Sequence, residues 1–406
     1  MEMRLIEKTG DEISSLAFGA MRLDIKDGRE ESKKMIRHAI DSGVNLIDTA
    51  YLYGLGDNEK FLSEALEDGY RQRVNISTKI PAFNIRKIEE CETYLNKQLE
   101  SLNTDCIEYY FLHNIDLKIM KRLEKKGIFE FIENSKSEGK IKHVGFSYHG
   151  NISHFKELID LYDWDACIIQ YNYFDEGIQM DIDSIRYARS KGMGVFVMEP
   201  LKGGILAGRL PKRAEEIFKK ENPTKTNGEW ALSWLLNQGE ITSILSGITS
   251  YDILKENLNT ANNVKINSLS ESELNTINKV KTVMQESLKI NCTNCGYCMP
   301  CKYGVDIPRC LGIYNEKYLF EESRFEGFKN YFMQVAGIVG GKEQYASKCT
   351  QCNKCIRLCT QKLNIPEELK KVEKEFEIPG FKLILWLAKH IVMPVISKID
   401  NFRISN

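Results

Sequence analysis

Short apolar runs recur along the first 250 positions, each followed by a longer stretch in which apolar residues return at helical spacing. The runs predict eight strands, at 13–18, 44–47, 74–78, 107–112, 142–146, 166–170, 194–198 and 243–247. Helices are expected between them near 31–43, 58–68, 86–102, 127–138, 151–162, 181–191 and 228–238, with a last one over 270–286. Gly43 stands where the first helix should be capped. Eight such alternations predict an α/β fold, a (β/α)8 (TIM) barrel, rather than an open doubly wound sheet. No G-x-G-x-x-G follows the first strand, which speaks against a dinucleotide-binding sheet.

Polar residues gather where the runs end. Asp48 and Tyr53 follow the second run, Lys79 the third and His113 the fourth. Each has an ordinary reading on its own: a capping Asp, a packed Tyr, a solvated Lys, a structural His. Together they fall where βα units of a barrel collect their chemistry. With the G-x-x-x-x-D-T-A-x-x-Y-G run over 43–54, the chain resembles the aldo/keto reductase family from about residue 10 to 285. The resemblance implies a catalytic tetrad of Asp48, Tyr53, Lys79 and His113. Reducing a carbonyl needs a hydride for carbon and a proton for oxygen. A phenol, with an ordinary pKa of about 10, gives up its proton more readily beside an ammonium. Asp48 would keep Lys79 charged, and His113 would orient the substrate oxygen.

The loops after the seventh and eighth strands of such barrels commonly hold a phosphate. Here they are the Gly-rich 201–208 stretch with the polar 221–228 segment, and Ser246-Gly-Ile-Thr-Ser250. The resemblance implies nicotinamide contacts at Ser147, although Tyr148 stands where the family usually has Asn. The strand-six Gln aligns with Ile168, and Gln170 on the same strand face is the substitute. Met198 replaces a stacking aromatic residue. Ser246 and Gly247 would face the phosphates, and Glu256-Asn257 match the adenine-contacting pair. The 246–252 loop has no Lys or Arg for a 2′-phosphate. The implied cofactor is NAD(P)H, with a flavin as the alternative.

Composition adds a second element. Hydrophobic residues make up 42% of 406, and 56 basic against 57 acidic residues leave a net charge of −1, with no general pull towards nucleic acid. The N-terminus lacks the apolar run of a signal peptide, so a cytoplasmic location is expected. Of twelve cysteines, Cys91, Cys106 and Cys167 read as small buried groups, whereas the other nine lie between 292 and 359. In a cytosolic chain that favours metal ligation over disulfides. Cys292-x2-Cys295-x2-Cys298-x2-Cys301 is answered by Cys349-x2-Cys352-x2-Cys355-x3-Cys359. The pattern is similar to that of ferredoxins with two [4Fe–4S] clusters, where three cysteines of one run bind one cluster and the fourth binds the other. A repeat supports it: Cys301 precedes Pro308 of Val-Asp-Ile-Pro by seven residues, as Cys359 precedes Pro366 of Leu-Asn-Ile-Pro.

The implied ligand sets are Cys292, Cys295, Cys298 with Cys359, and Cys349, Cys352, Cys355 with Cys301. Lys302 and Thr360 replace the usual Pro, and the spacing before Cys301 is one residue short. Zinc is the competing occupant, and the absence of His from both runs favours clusters. Cys310 is left as a packed thiol. The expected domains are a barrel over 1–286, a small, mostly helical ferredoxin-like module over 287–370 and a helical tail over 371–406. The apolar 381–394 segment is expected to pack on the barrel, with a membrane-surface helix as the alternative.

These features imply an iron–sulfur oxidoreductase of aldo/keto reductase type, acting on a small-molecule substrate with Tyr53 as proton donor. Nicotinamide passes two electrons as hydride whereas clusters pass one, so a flavin-linked reductase fed through the clusters is the first alternative. An electron-transfer protein would then be a partner. A non-catalytic redox carrier or sensor is the second alternative.

Overall fold

The apolar runs are rich in β-branched and aromatic residues, and parallel pairing satisfies their backbones while burying both faces. In chain order the strands are β1 (Met3–Leu5), β2 (Glu12–Ser14), β3 (Leu16–Gly19), β4 (Leu46–Asp48), β5 (Asn75–Ile80), β6 (Ile107–Ile115), β7 (Ile141–Tyr148), β8 (Ala166–Gln170), β9 (Gly194–Met198) and β10 (Ser243–Gly247). Strands β3 to β10 close a parallel barrel in the order β10-β3-β4-β5-β6-β7-β8-β9. This computed structural model describes residues 1–149, 152–177, 180–208, 210–337, 342–388 and 390.

The run at 13–18 is two strands, not one. Ile13 belongs to an antiparallel hairpin of β1 and β2, with Met3 opposite Ser14, and the barrel begins at Leu16. Ile6 and Ile13 join an interior layer with Ala17, Leu46, Tyr109, Phe111, Ala166, Ile168, Phe196 and Leu245, so the barrel centre is packed with side chains. Asp11, between β1 and β2, ties the hairpin to β6 and β7. It accepts from Tyr109 Oη at 2.7 Å and lies 2.9 Å from both Lys142 Nζ and His143 Nε2. Crowding in this layer explains Gly145. A Cβ there would stand 2.3 Å from the Ala166 carbonyl oxygen and 2.5 Å from the Phe111 ring.

Helices Leu117–Glu124, Lys212–Glu221 and Tyr251–Asn263 were not expected from the sequence. The first two span only eight and ten residues, too few turns for a helical period to stand out from loop. The final helix runs Glu271–Ser287, close to its expected span. Cys91 and Cys167 are buried, and Cys106 is half-buried.

The chain divides into two compact units, Met1–Gly208 with Phe218–Asn278, and Arg209–Ile217 with Lys279–Asn406. In the second unit helices Ile307–Leu319, Arg324–Val335, Ile365–Phe376 and Phe381–Leu387 surround a core that includes Leu311, Tyr331, Leu369 and Phe376. Both Ile-Pro pairs open a helix, where a missing N–H costs nothing. Asp306 caps the first by accepting from Arg309 N at 3.1 Å. Cys310 is fully buried in this core, as expected of a packed thiol. Phe381 and Leu385 also belong to this core, which is where the described part of the apolar tail is anchored. Residue 389 and residues 391–406 lie outside the described residues. No described helix is long and apolar enough to cross a membrane.

Candidate active site and cofactor sites

The strands carrying the expected tetrad run further than the apolar pattern suggests. Lys79 lies within β5, paired with Phe111, and β6 continues past His113 to Ile115. Asp48 ends β4, and Tyr53 opens the 3-10 turn Tyr53–Gly56. Gly54 follows at φ +58, where an added Cβ would stand 2.6 Å from Ile25 Cδ1. That turn needs glycine.

These elements bring the four side chains together. Lys79 Nζ donates to Asp48 Oδ1 and Oδ2 at 2.7 Å and to the Thr49 carbonyl at 2.6 Å, so each ammonium hydrogen has an acceptor. Ser77 Oγ donates to Asp48 Oδ1 at 2.6 Å. Burial pushes the Lys79 ammonium down, and Asp48 beside it opposes the shift. Nζ stands 4.9 Å from the centroid of the half-buried Tyr53 ring. The His113 ring lies edge-on, its centroid 6.1 Å from that of Tyr53. Burial first, then the charge on Lys79, holds His113 well below its ordinary pKa, so its imidazole is neutral at pH 7.

His113 owes its direction to a bulge. The pairing of β6 with β7 shifts between Leu112 and Ile115, and Asn114 has φ +51. Such a shift re-aims one side chain. Asn114 N–H donates to Ser147 Oγ at 2.7 Å, so the residue expected to contact nicotinamide fastens the bulge beside His113. Behind β5, buried Glu59 accepts from Thr78 Oγ1 and from Gln98 Nε2 at 2.7 Å. Burial raises its pKa, and Lys79 pulls the other way.

Of the other expected cofactor residues, Gln170, Met198, Ser246 and Gly247 sit at the C-terminal ends of β8, β9 and β10, whereas Glu256 and Asn257 lie in the helix Tyr251–Asn263 that follows β10. Gln170 Nε2 donates to Asp175 Oδ2 at 2.8 Å, and Met198 is half-buried beside it in register. Ser246 Oγ accepts from Asn257 Nδ2 at 3.0 Å, whereas Glu256 accepts from Thr226 Oγ1 at 2.9 Å. Gly247 faces Arg22: a Cβ there would lie 3.2 Å from Arg22 Cδ.

A second charged group was missed in the sequence. Lys202 Nζ meets Asp175 Oδ1 at 2.6 Å, and both side chains are fully buried. Asp175 also accepts from Asn172 Nδ2 at 3.0 Å. Glu199 and Lys202 have φ +54 and +49, with Gly203 and Gly204 also positive, so this loop is strained. Glu199 Oε2 and Arg22 Nη2 are buried without a hydrogen-bond partner. Burial raises the Glu199 pKa, and the Arg22 charge opposes that rise. Arg22 follows the first barrel strand as Asp48 follows the second; that placement was the available signal. A buried donor and a buried acceptor without partners at this end of the barrel suit a polar ligand.

In the helical unit the cysteines group across the two runs. The thiols that act electrostatically on Cys298 are Cys295, Cys292 and Cys359. Those that act on Cys355 are Cys349, Cys352 and Cys301. Burial raises Cys298, Cys355 and Cys359 alike. Among the described residues no three His, Cys, Asp or Glu side chains converge tightly enough to hold one metal ion. The donor atoms in these groups are all sulfur, the chemistry that iron–sulfur clusters take.

Comparison with known proteins gives these groups a setting. Residues 291–365 match the 4Fe-4S dicluster domain. A probable aldo-keto reductase of Glycine max is 26% identical over an alignment of 287 positions that covers 61% of this chain and 81% of the relative. An aldo-keto reductase of Bacillus halodurans in its holo form shares the fold at a TM-score of 0.59 and 24% identity, covering 69% of this chain and 96% of that one. One from Klebsiella pneumoniae, solved with NADP and acetate, gives 0.58 and 21% over 69% and 96%. Residues 15–282 match the aldo/keto reductase family across a parallel eight-stranded barrel, and the chain belongs to that family of oxidoreductases.

Proposed function

We propose that the barrel reduces a carbonyl group of a small molecule, with Tyr53 as proton donor. The observation that carries this reading is the convergence of Tyr53 and His113 on the Asp48–Lys79 pair. Lys79 places positive charge against the phenol, where negative charge develops as the proton leaves. Asp48 and the Thr49 carbonyl fix that ammonium. Neutral His113 donates a hydrogen bond to the substrate oxygen and aligns the carbonyl. Arg22 and Glu199 hold the polar portion of the cofactor, Arg22 towards phosphate and Glu199 towards a hydroxyl. A nicotinamide, when bound, supplies the hydride, and its presence in the Klebsiella relative supports that choice.

The helical unit is proposed to hold two [4Fe–4S] clusters, on Cys292, Cys295, Cys298 and Cys359, and on Cys349, Cys352, Cys355 and Cys301. The barrel would occupy 1–286 and the cluster module 287–370, followed by the 371–406 tail. Eight reduced thiols suit a cytoplasmic setting.

The test is Tyr53→Phe in anaerobically purified protein with saturating aldehyde and NADH. Turnover should fall by about three orders of magnitude, within the range of general acid catalysis, while cofactor affinity stays unchanged. Wild-type turnover would remove Tyr53 from the mechanism. A flavin-linked reading is favoured by one observation: Ser147 is taken by the His113 bulge and Gln170 by Asp175. A flavin absorbance band in that preparation would select it.

A further inference from the structure

The two cysteine runs differ in their charged surroundings, although Cys359 of the first group stands in the second run. The stretch around the first, Asn291-Cys-Thr-Asn-Cys-Gly-Tyr-Cys-Met-Pro300, has no charged residue. Its Thr293 is buried, and its cysteines are half-buried. The second group contains the one exposed ligand candidate, Cys352. Between Lys348 and Lys362 there are four cations and no carboxylate. Lys354, Arg357 and Lys362 are exposed, as is Lys302 beside Cys301. Among the described residues none of these four side chains has a carboxylate within ion-pair distance, whereas Lys348 lies 3.9 Å from Glu343. Two apolar groups interrupt the cations, Leu358 at 42% exposure and Tyr303 at 38%.

We infer that this face receives a small acidic one-electron carrier protein, which exchanges electrons with the cluster on Cys301, Cys349, Cys352 and Cys355. The inference rests on the proposed clusters and says which of them meets the outside. An exposed ligand brings a docked donor close to the cluster edge, while the cations attract an acidic partner and orient it. Leu358 and Tyr303 provide the small apolar contact that such weak, transient encounters use. In each encounter one electron leaves the reduced carrier, which becomes oxidised, and the cluster is reduced by that same electron. No atom is transferred.

The test uses the full chain with iron and sulfide content measured first. A preparation without clusters would overturn the parent reading; the remaining steps address this inference alone. Reduced plant-type [2Fe–2S] ferredoxin, an acidic carrier, is mixed with the oxidised protein at 20 and 300 mM salt, and cluster bleaching is followed by stopped flow. Oxidised cytochrome c, a basic carrier of comparable size, is mixed with the dithionite-reduced protein as the counterpart, its reduction followed at the same two salt concentrations, and oxidised ferredoxin is titrated calorimetrically for binding. The rate with ferredoxin should fall at least tenfold between the two salt concentrations, and cytochrome c should show no such fall. Lys354→Glu/Arg357→Glu should slow ferredoxin at least tenfold at low salt and weaken its binding by a similar factor, while bleaching by dithionite is unchanged. Equal salt responses of the two carriers, or an unaltered variant rate and affinity, would overturn the docking face. If the variant loses its clusters, Lys362→Glu and the wild-type salt dependence decide the matter.

Discussion

Replacing Lys79 by Met separates what the buried pair does for folding from what it does for chemistry. Both partners are nearly inaccessible, with side-chain exposures of 3% for Lys79 and 6% for Asp48. Removing the ammonium leaves a carboxylate in a dry site, with the Ser77 hydroxyl as its remaining side-chain donor among the described contacts. Breaking a buried pair in this way typically costs about 3–5 kcal/mol. The catalytic share can be worked separately. A unit charge 4.9 Å from the Tyr53 ring centroid, at an effective dielectric of about 20, interacts with a phenolate by roughly 3 kcal/mol. Losing it should lower kcat by about two orders of magnitude. In Asp48→Asn/Lys79→Met both charges are gone. Stability should return to within about 2 kcal/mol of wild type, while kcat stays about a hundredfold down. Urea unfolding of the barrel, followed by tryptophan fluorescence, reads the first quantity, and turnover with saturating aldehyde and reduced nicotinamide reads the second. Wild-type kcat in the double variant would refute the electrostatic role of Lys79. A single variant as stable as wild type would refute the view that Asp48 holds a costly buried charge.

Because His113 is held below its ordinary pKa, the unfolded chain takes up a proton below about pH 6.5 that the folded chain refuses. Stability should therefore fall between pH 7 and 5 more steeply in wild type than in His113→Gln, by up to ~1.4 kcal/mol per pH unit; parallel urea midpoints would contradict this. Arg22→Met should weaken NADH binding at least tenfold, about 1.4 kcal/mol, in a fluorescence titration, and an unchanged Kd in a folded variant would move the phosphates elsewhere. Cys359→Ser should disturb the cluster of Cys292, Cys295 and Cys298 and spare that of Cys349, Cys352 and Cys355. Site-resolved spectroscopy showing the reverse would uncross the ligand sets.

Much of this was legible because the barrel's period is written in its apolar runs. The tetrad could be found because each member follows a run, and the cysteine repeat because its spacing is a covalent fact. The hairpin of β1 and β2 was missed because Met3–Leu5 is short and half-polar, and its worth lies in Ile6 and Ile13 reaching the barrel centre. The Arg22–Glu199 and Asp175–Lys202 groups were missed for a different reason. Their members come from three loops, after β3, β8 and β9, which only the folding of the barrel brings together. Ser147 shows what residue type alone leaves out: besides matching a cofactor contact, its hydroxyl accepts from the Asn114 N–H of the bulge.

The crossed cysteine groups have a consequence for synthesis. Sixty-seven residues separate Cys292 from Cys359, and both belong to the same group of thiols. At about 5–20 residues per second, the first three thiols wait roughly 3–13 s for the fourth. The second group has its outlier, Cys301, at the early end, so it too stays incomplete until Cys355 is made. By then the whole barrel sequence has been synthesised. On the proposed ligand sets, iron can be captured in full only after Cys359 has been made, and until then the earlier thiols of each nascent chain stay open to oxidation. Oxygen during that interval is a hazard this arrangement creates.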